Sequence, residues 1–151
     1  MPAQKEPSVH ASAILVGARA VLIRGPAGCG KSRLVLALLQ AGACGLLAFA
    51  RLVADDRTLL EAAHGRLLAR PPAELAGLLE VHGLGIRRLP YEPVALVSHI
   101  VDLEAQDARR LPETPAETIT LSGVLLPRIA VAAESDPLPM VLAALTTARS
   151  G

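Results

Sequence analysis

Ala20-Val21-Leu22-Ile23-Arg24-Gly25-Pro26-Ala27-Gly28-Cys29-Gly30-Lys31-Ser32 runs an apolar stretch straight into a complete G-x-x-x-x-G-K-[ST] phosphate loop. Such a loop requires a strand before it and a helix after it. Ala20 to Arg24 supplies the strand. Lys31 to Gln40 supplies the helix, with Leu34, Val35, Leu38 and Leu39 on one face and Gly42 predicted to end it. The glycines free backbone N–H groups to surround a polyphosphate, Lys31 adds a positive point charge near the β and γ phosphates, and the Ser32 hydroxyl can ligate Mg²⁺. Gly25, Pro26, Ala27, Gly28, Cys29, Gly30, Lys31 and Ser32 are therefore the candidate nucleotide-binding residues.

Working outward, Ala11 to Val16 and Ala20 to Arg24 are predicted as two strands turning at Gly17-Ala18-Arg19. Arg51 to Asp56 is a strand ending in two acids, and Thr58 to Ala62 with Arg66 to Arg70 is a hairpin around Ala63-His64-Gly65. Pro71 to Gly77 holds one short helical turn, and Leu78 to Ile86 is a strand running into a glycine-marked bend. Val94 to Leu103, Thr118 to Leu121 and Val124 to Ala133 are further strands. Glu104 to Glu117 is a loop or broken helix, and Leu138 to Ala148 is a closing amphipathic helix whose apolar side is either core or a subunit contact. Strands outnumber helices, so the fold class is mixed α/β.

The chain's 151 residues form one domain, and 52% hydrophobic content is enough for a core without staples. Residues 1–8 read as a flexible lead and 9–148 as the domain. Fifteen Lys+Arg against 14 Asp+Glu give net +1, and the aromatics reduce to Phe49 and Tyr91. That balance offers no broad cationic surface and no stacking platform for nucleic acid. Cys29 and Cys44 are too few for a disulfide framework, and no signal peptide or membrane span is evident, so a soluble protein of a reducing cytoplasm is expected. Cys29 reads as a small neutral filler rather than a redox brake, because reactivity needs thiolate character.

Transfer of a γ-phosphoryl group is mostly positioning plus charge neutralisation, so acids at strand ends are the next candidates. Successive side chains of an extended strand point to opposite faces. One of Asp55 and Asp56 is therefore expected to meet the reacting centre while the other reaches metal-bound water or a backbone donor, against the alternative of a solvated turn. Glu80 stands inside the apolar Leu79-Glu80-Val81 just before two glycines, and reads either as a Mg²⁺ ligand or as an outward-facing strand residue. His64, His82 and His99 lack metal-ligand spacing and read as turn, strand and strand residues.

The order of these features resembles the catalytic domain of bacterial HPr kinase/phosphorylase. It is carried by His10, the loop, Leu52-Val53-Ala54-Asp55-Asp56, Leu79-Glu80-Val81-His82-Gly83-Leu84-Gly85-Ile86, Arg110-Leu111 and Leu125-Leu126-Pro127-Arg128-Ile129, spanning roughly residues 9 to 146. The resemblance implies a P-loop kinase domain of the HPr kinase/PEP carboxykinase-like type, a mixed sheet with few helices, in a short form without an N-terminal domain. It implies ATP and Mg²⁺ as cofactors, Lys31 on the phosphates, Ser32 and Glu80 on the metal, and Asp56 as the base toward a seryl hydroxyl of an HPr-type phosphocarrier. His10, Lys31, Asp55, Asp56 and Arg110 complete the candidate catalytic set, and a homo-oligomer, a hexamer in the family, is implied as well.

The reverse step would use inorganic phosphate to remove the seryl phosphate and release pyrophosphate. Where the family has a cationic Pro-Gly-Arg-Asn-like turn tied to that step, this chain has Glu134-Ser135-Asp136-Pro137, and added acids repel an incoming phosphate. Two other readings stay open on the residues alone. One is a small-molecule kinase; the other is a nucleotide-sensing module without turnover.

Overall fold

Alternation along two neighbouring strands divides the molecule into two apolar layers. The computed structural model describes residues 8–148 and 150. Its elements are β1 (Ser8–Val9), β2 (Ala11–Val16), β3 (Arg19–Arg24), α1 (Lys31–Ala43), β4 (Ala50–Ala54), β5 (Thr58–Ala63) and β6 (Arg66–Arg70). They continue with β7 (Leu78–Val81), β8 (Gly85–Arg88), β9 (Ala95–Asp102), β10 (Thr118–Leu121), β11 (Val124–Ala130) and α2 (Pro137–Thr146). Short 3-10 turns at Ala73–Leu75 and Thr114–Glu117 fill the links.

Ala11, Ala13 and Leu15 of β2 and Ala20 and Leu22 of β3 enter one cluster, with Leu67, Ile100 and Leu126. The alternate residues Ile14, Val21 and Ile23 enter the other, beneath Leu34, Val35 and Leu38 of α1 and Val141 of α2. This is the period-two signature of strands covered on both faces. Leu34, Val35 and Leu38 are buried almost completely, and removing each from water stabilises the fold by about 1.5–3 kcal/mol.

The main sheet runs β1-β5-β6-β9-β3-β2-β4, with β11 also on β9 and β10 on β11. It is mixed: β3 and β11 lie parallel to β9, whereas β2 lies antiparallel to β3 and β4. The α/β class with a curled mixed sheet and two helices agrees with the sequence reading. Leu138, Leu142 and Leu145 of α2 pack on the second cluster, so that side of the helix is core, while Met140 stays exposed.

Three expectations change. Of the lead assigned to 1–8, residues 1–7 lie outside the described residues, and Ser8 is strand, paired with Leu59 of β5. Gly42 does not end α1. The helix runs through it to Ala43, and Gly45, at φ 82°, closes it, with Leu46 N–H donating to Ala41 O (2.9 Å) and Gly45 N–H to Gly42 O (3.2 Å). A Cβ on Gly42 would lie 2.8 Å from Ala50 Cβ, so this glycine serves close packing of α1 on β4. Finally, Leu78 to Ile86 is two strands: β7 and β8 form a separate hairpin with Val81 opposite Gly85. His82 therefore sits in its turn rather than in a strand.

Candidate active site

The phosphate loop leaves the end of β3 beside the end of β9, where Leu103 N–H donates to Arg24 O (2.9 Å). A Cβ at Gly25 would meet Cys29 Sγ at 2.6 Å and Leu103 Cβ at 3.1 Å, so only glycine lets the chain turn there. Gly30 caps α1 in the left-handed region at φ 101°. The loop amides and the positive end of the helix then face one concavity, the arrangement that binds polyphosphate.

Lys31 is buried, and its Nζ donates to Gly25 O (3.0 Å) and Pro26 O (3.3 Å). Those carbonyls satisfy the ammonium. Burial pushes the Cys29 thiol up from its ordinary value of 9.0 against the opposing pull of Lys31, so the thiol is protonated near neutrality and fills space, as expected.

The two acids separate, though not by strand alternation: β4 ends at Ala54, and Asp55 and Asp56 stand in the bend that follows it rather than in the strand expected over Arg51 to Asp56. Asp55 is buried and turned toward α1, with both its oxygens 2.8 Å from Ser32 Oγ and with Ser12 Oγ–H on Oδ1 at 2.8 Å. Glu80 N–H donates to Asp55 Oδ2 at 3.3 Å. Asp56 is exposed, takes the left-handed φ of 65°, and places Oδ1 2.5 Å from His10 Nε2. Its carboxylate lines a cleft of about 460 Å³ shared with Gly28, Lys31, Ser32, Glu80 and His82. The Glu80 side chain is the outward-facing strand residue weighed for it, exposed and lining this cleft together with Ser32.

Arg110 is not brought to the cleft. It lines a second cavity of about 390 Å³ with Asp107, Arg109, Arg128 and Met140, and it makes no hydrogen bond or ion pair with a described residue. The loop from 104 to 113 carries it away along β11 and α2.

A charge chain that sequence reasoning missed joins the two regions. Arg24 grips Asp102 through Nε (2.7 Å) and Nη2 (2.8 Å), Arg128 Nε reaches the same carboxylate at 2.5 Å, and Arg128 Nη1 and Nη2 hold Asp107 at 2.8 and 3.0 Å. Burial works to raise the Asp102 carboxyl, but the hydrogen bonds and charges of Arg24 and Arg128 prevail and hold it below its ordinary 3.8. Facing the second cavity, burial lowers the His99 pKa from 6.5. Ser12 was missed as well. The available signals were a serine inside an apolar strand, and opposite charges ending two apolar strands.

The stretch of chain that holds the loop and the acid pair matches known proteins. The model of the HPr serine kinase C-terminal domain matches residues 3–90, a span holding every candidate site residue except Arg110. The HPr kinase/phosphorylase of Clostridium tetani is 36% identical over 85 residues, 56% of this chain and 26% of that protein. That of Clostridium beijerinckii is 37% identical over 81 residues, 54% of this chain and 24% of that protein. The match thus spans about a quarter of the length of these relatives. The solved Hpr(Ser) kinase/phosphatase of Coxiella burnetii superimposes with a TM-score of 0.72 at 25% identity, covering 92% of this chain and 93% of that one. With the family model matching more than half of the residues and the fold matching nearly all of them, the chain belongs to the HPr serine kinase C-terminal domain family.

Proposed function

We propose that the protein is an ATP- and Mg²⁺-dependent kinase that phosphorylates a seryl hydroxyl on an HPr-type phosphocarrier. The observation carrying this reading is the Asp56 carboxylate, exposed in the same cleft as Lys31 and Ser32 and steered by His10. A general base must face both the reacting phosphate and an incoming alcohol, and a carboxylate at the open side of a phosphate loop meets that need.

Asp56 takes the seryl proton as the hydroxyl oxygen bonds to the γ-phosphorus and the bond to the β,γ-bridging oxygen breaks, releasing ADP. Lys31, once turned from the Gly25 and Pro26 carbonyls, neutralises charge on the transferred group. A hydroxyl (Ser32) with one or two carboxylates (Asp55 and Glu80) suits Mg²⁺, which keeps water and phosphate oxygens among its ligands rather than needing an all-protein cage. When bound, the ion supplies charge neutralisation between the phosphates. Asp55, hydrogen-bonded to Ser32, orients that hydroxyl.

The reverse phosphorolysis has weaker support. Asp136, in the segment where the family has its cationic turn, accepts Leu138 N–H at 3.1 Å and caps α2, so it is committed to helix formation and adds negative charge. A cytoplasmic location and a homo-oligomeric, hexameric assembly follow from the family reading. Among the described residues no helix is long and apolar enough to cross a membrane.

The test is incubation with labelled ATP, Mg²⁺ and purified phosphocarriers or metabolites, followed by phosphosite mapping. Seryl modification is expected. Asp56→Asn should lower the rate about 10²–10⁴-fold while nucleotide still binds. Label on a metabolite alone would make this a small-molecule kinase, and nucleotide binding with no transfer at all would make it a sensor.

A further inference from the structure

Ser12 lies on β2 between Ala11 and Ala13, which enter the first apolar cluster, so its side chain points to the opposite face, toward α1. The antiparallel register pairs Ala13 with Ala54, and continuing it by one residue sets Ser12 beside Asp55. Ser12 is fully buried, and a buried hydroxyl needs partners. It has them on both sides: its single proton goes to Asp55 Oδ1 (2.8 Å), and its oxygen accepts Asp56 N–H (3.0 Å). With one proton and a carboxylate that can only accept, both roles are determined. A further contact fixes the bend, Arg57 N–H donating to Asp55 O at 2.7 Å.

We infer that Ser12 is the positioning residue that splits the neighbouring acids into two jobs, pinning Asp55 inward on Ser32 and turning Asp56 outward to His10 and the cleft. Both acids stand in the bend beyond β4, which ends at Ala54, so strand alternation does not part them. Asp56 takes the left-handed φ of 65°, and a non-glycine residue keeps such a conformation only when its surroundings hold it. The Ser12 oxygen is the side-chain acceptor for the Asp56 N–H. Without it that amide loses its partner, the backbone relaxes toward negative φ, and the Asp56 carboxylate swings off His10. Asp55 retains Ser32 and Glu80 N–H, so the nucleotide-facing half of the site survives.

The inference rests on the phosphoryl-transfer reading above, and it separates the two halves of the site. Ser12→Ala should lower kcat roughly 10- to 100-fold, the range that misplacing a reacting group costs, with KM for ATP changed less than about twofold. Ser12→Thr, which keeps the hydroxyl, should restore most of kcat. Ser12→Cys, of similar volume but a weak donor and acceptor, should track the alanine variant, and it serves as the test if the alanine variant fails to fold.

Amide hydrogen exchange gives a readout independent of turnover. Asp56 N–H should be protected in the wild type and exchange at least about tenfold faster in Ser12→Ala, with α1 amides unchanged. A Ser12→Ala enzyme within about twofold of wild-type kcat overturns the inference, as does a threonine variant no better than alanine. If the wild type transfers phosphate to no serine, the functional reading fails while exchange at Asp56 still decides this one: faster exchange upholds the positioning role, and unchanged exchange overturns it.

Discussion

Replacing Asp102 by alanine tests whether the charge chain behind the phosphate loop holds the fold together. The Asp102 side chain is 14% exposed and accepts three hydrogen bonds from guanidinium groups, two from Arg24 and one from Arg128. Arg128 keeps Asp107 after the change. Arg24, 28% exposed, has its described side-chain hydrogen bonds on Asp102 alone and is left with a half-hidden unpaired charge. Breaking a fully buried pair costs about 3–5 kcal/mol, and an exposed pair is worth about 0–1 kcal/mol. A partly buried bidentate pair with one surviving partner belongs between them, at about 3 kcal/mol.

Unfolding entropy near 2.1 cal/mol/K per residue gives ~0.32 kcal/mol/K for 151 residues, so the melting temperature should fall by about 9 °C in calorimetry at pH 7. Asp102→Asn, which keeps one acceptor, should lose less. Because the folded carboxyl lies below its ordinary 3.8, its stabilisation is fully present above that value and fades as pH falls through the lower folded one. The gap between wild type and Asp102→Ala should therefore be constant from pH 7 to about pH 5 and narrow only below 3.8. A shift under about 2 °C at pH 7, or a gap that widens in acid, would refute the reasoning.

Two further changes probe the loop and its helix. Lys31→Ala removes the ammonium now held by Gly25 O and Pro26 O and should weaken ATP binding about 10- to 100-fold by calorimetric titration, since a hydrogen bond to a charged group is worth about 1.5–3 kcal/mol. Gly42→Ala sets two effects against each other. Helix propensity favours alanine by about 1 kcal/mol, while a Cβ 2.8 Å from Ala50 Cβ overpacks the junction at about 1–3 kcal/mol, so a net loss in urea-midpoint stability is expected, and a gain would show that β4 gives way easily.

Those glycines show where sequence stops deciding structure. β2, the turn, β3, the phosphate loop and α1 form one continuous segment whose signals are all local: strand period, turn glycine, loop spacing and helical face. Those elements were legible together. The end of α1 was not, because Gly42 and Gly45 carry the same symbol for opposite reasons, one for want of space beside Ala50 and one for a left-handed φ. The acid pair was legible as a pair, but not the way it divides, because β4 ends at Ala54 and the bend beyond it, with its left-handed φ at Asp56, sends the two apart. What holds them was hidden, because Ser12 stands 43 positions from Asp55 and reaches it only through the register of β2 on β4.

Arg24 and Asp102 pose the same difficulty at longer range. Each ends an apolar strand, yet nothing local states that β3 and β9 are parallel neighbours with those two residues side by side. Arg110 reverses the case. Its segment has no period to fix its path, so a position in a motif assigned it to the cleft while the backbone took it to a cavity between β11 and α2. The loop's chemistry is thus written in consecutive residues, whereas the geometry that orients its acids is written in strand pairing, and a substitution at Ser12 or Asp102 disturbs the second without altering a letter of the first.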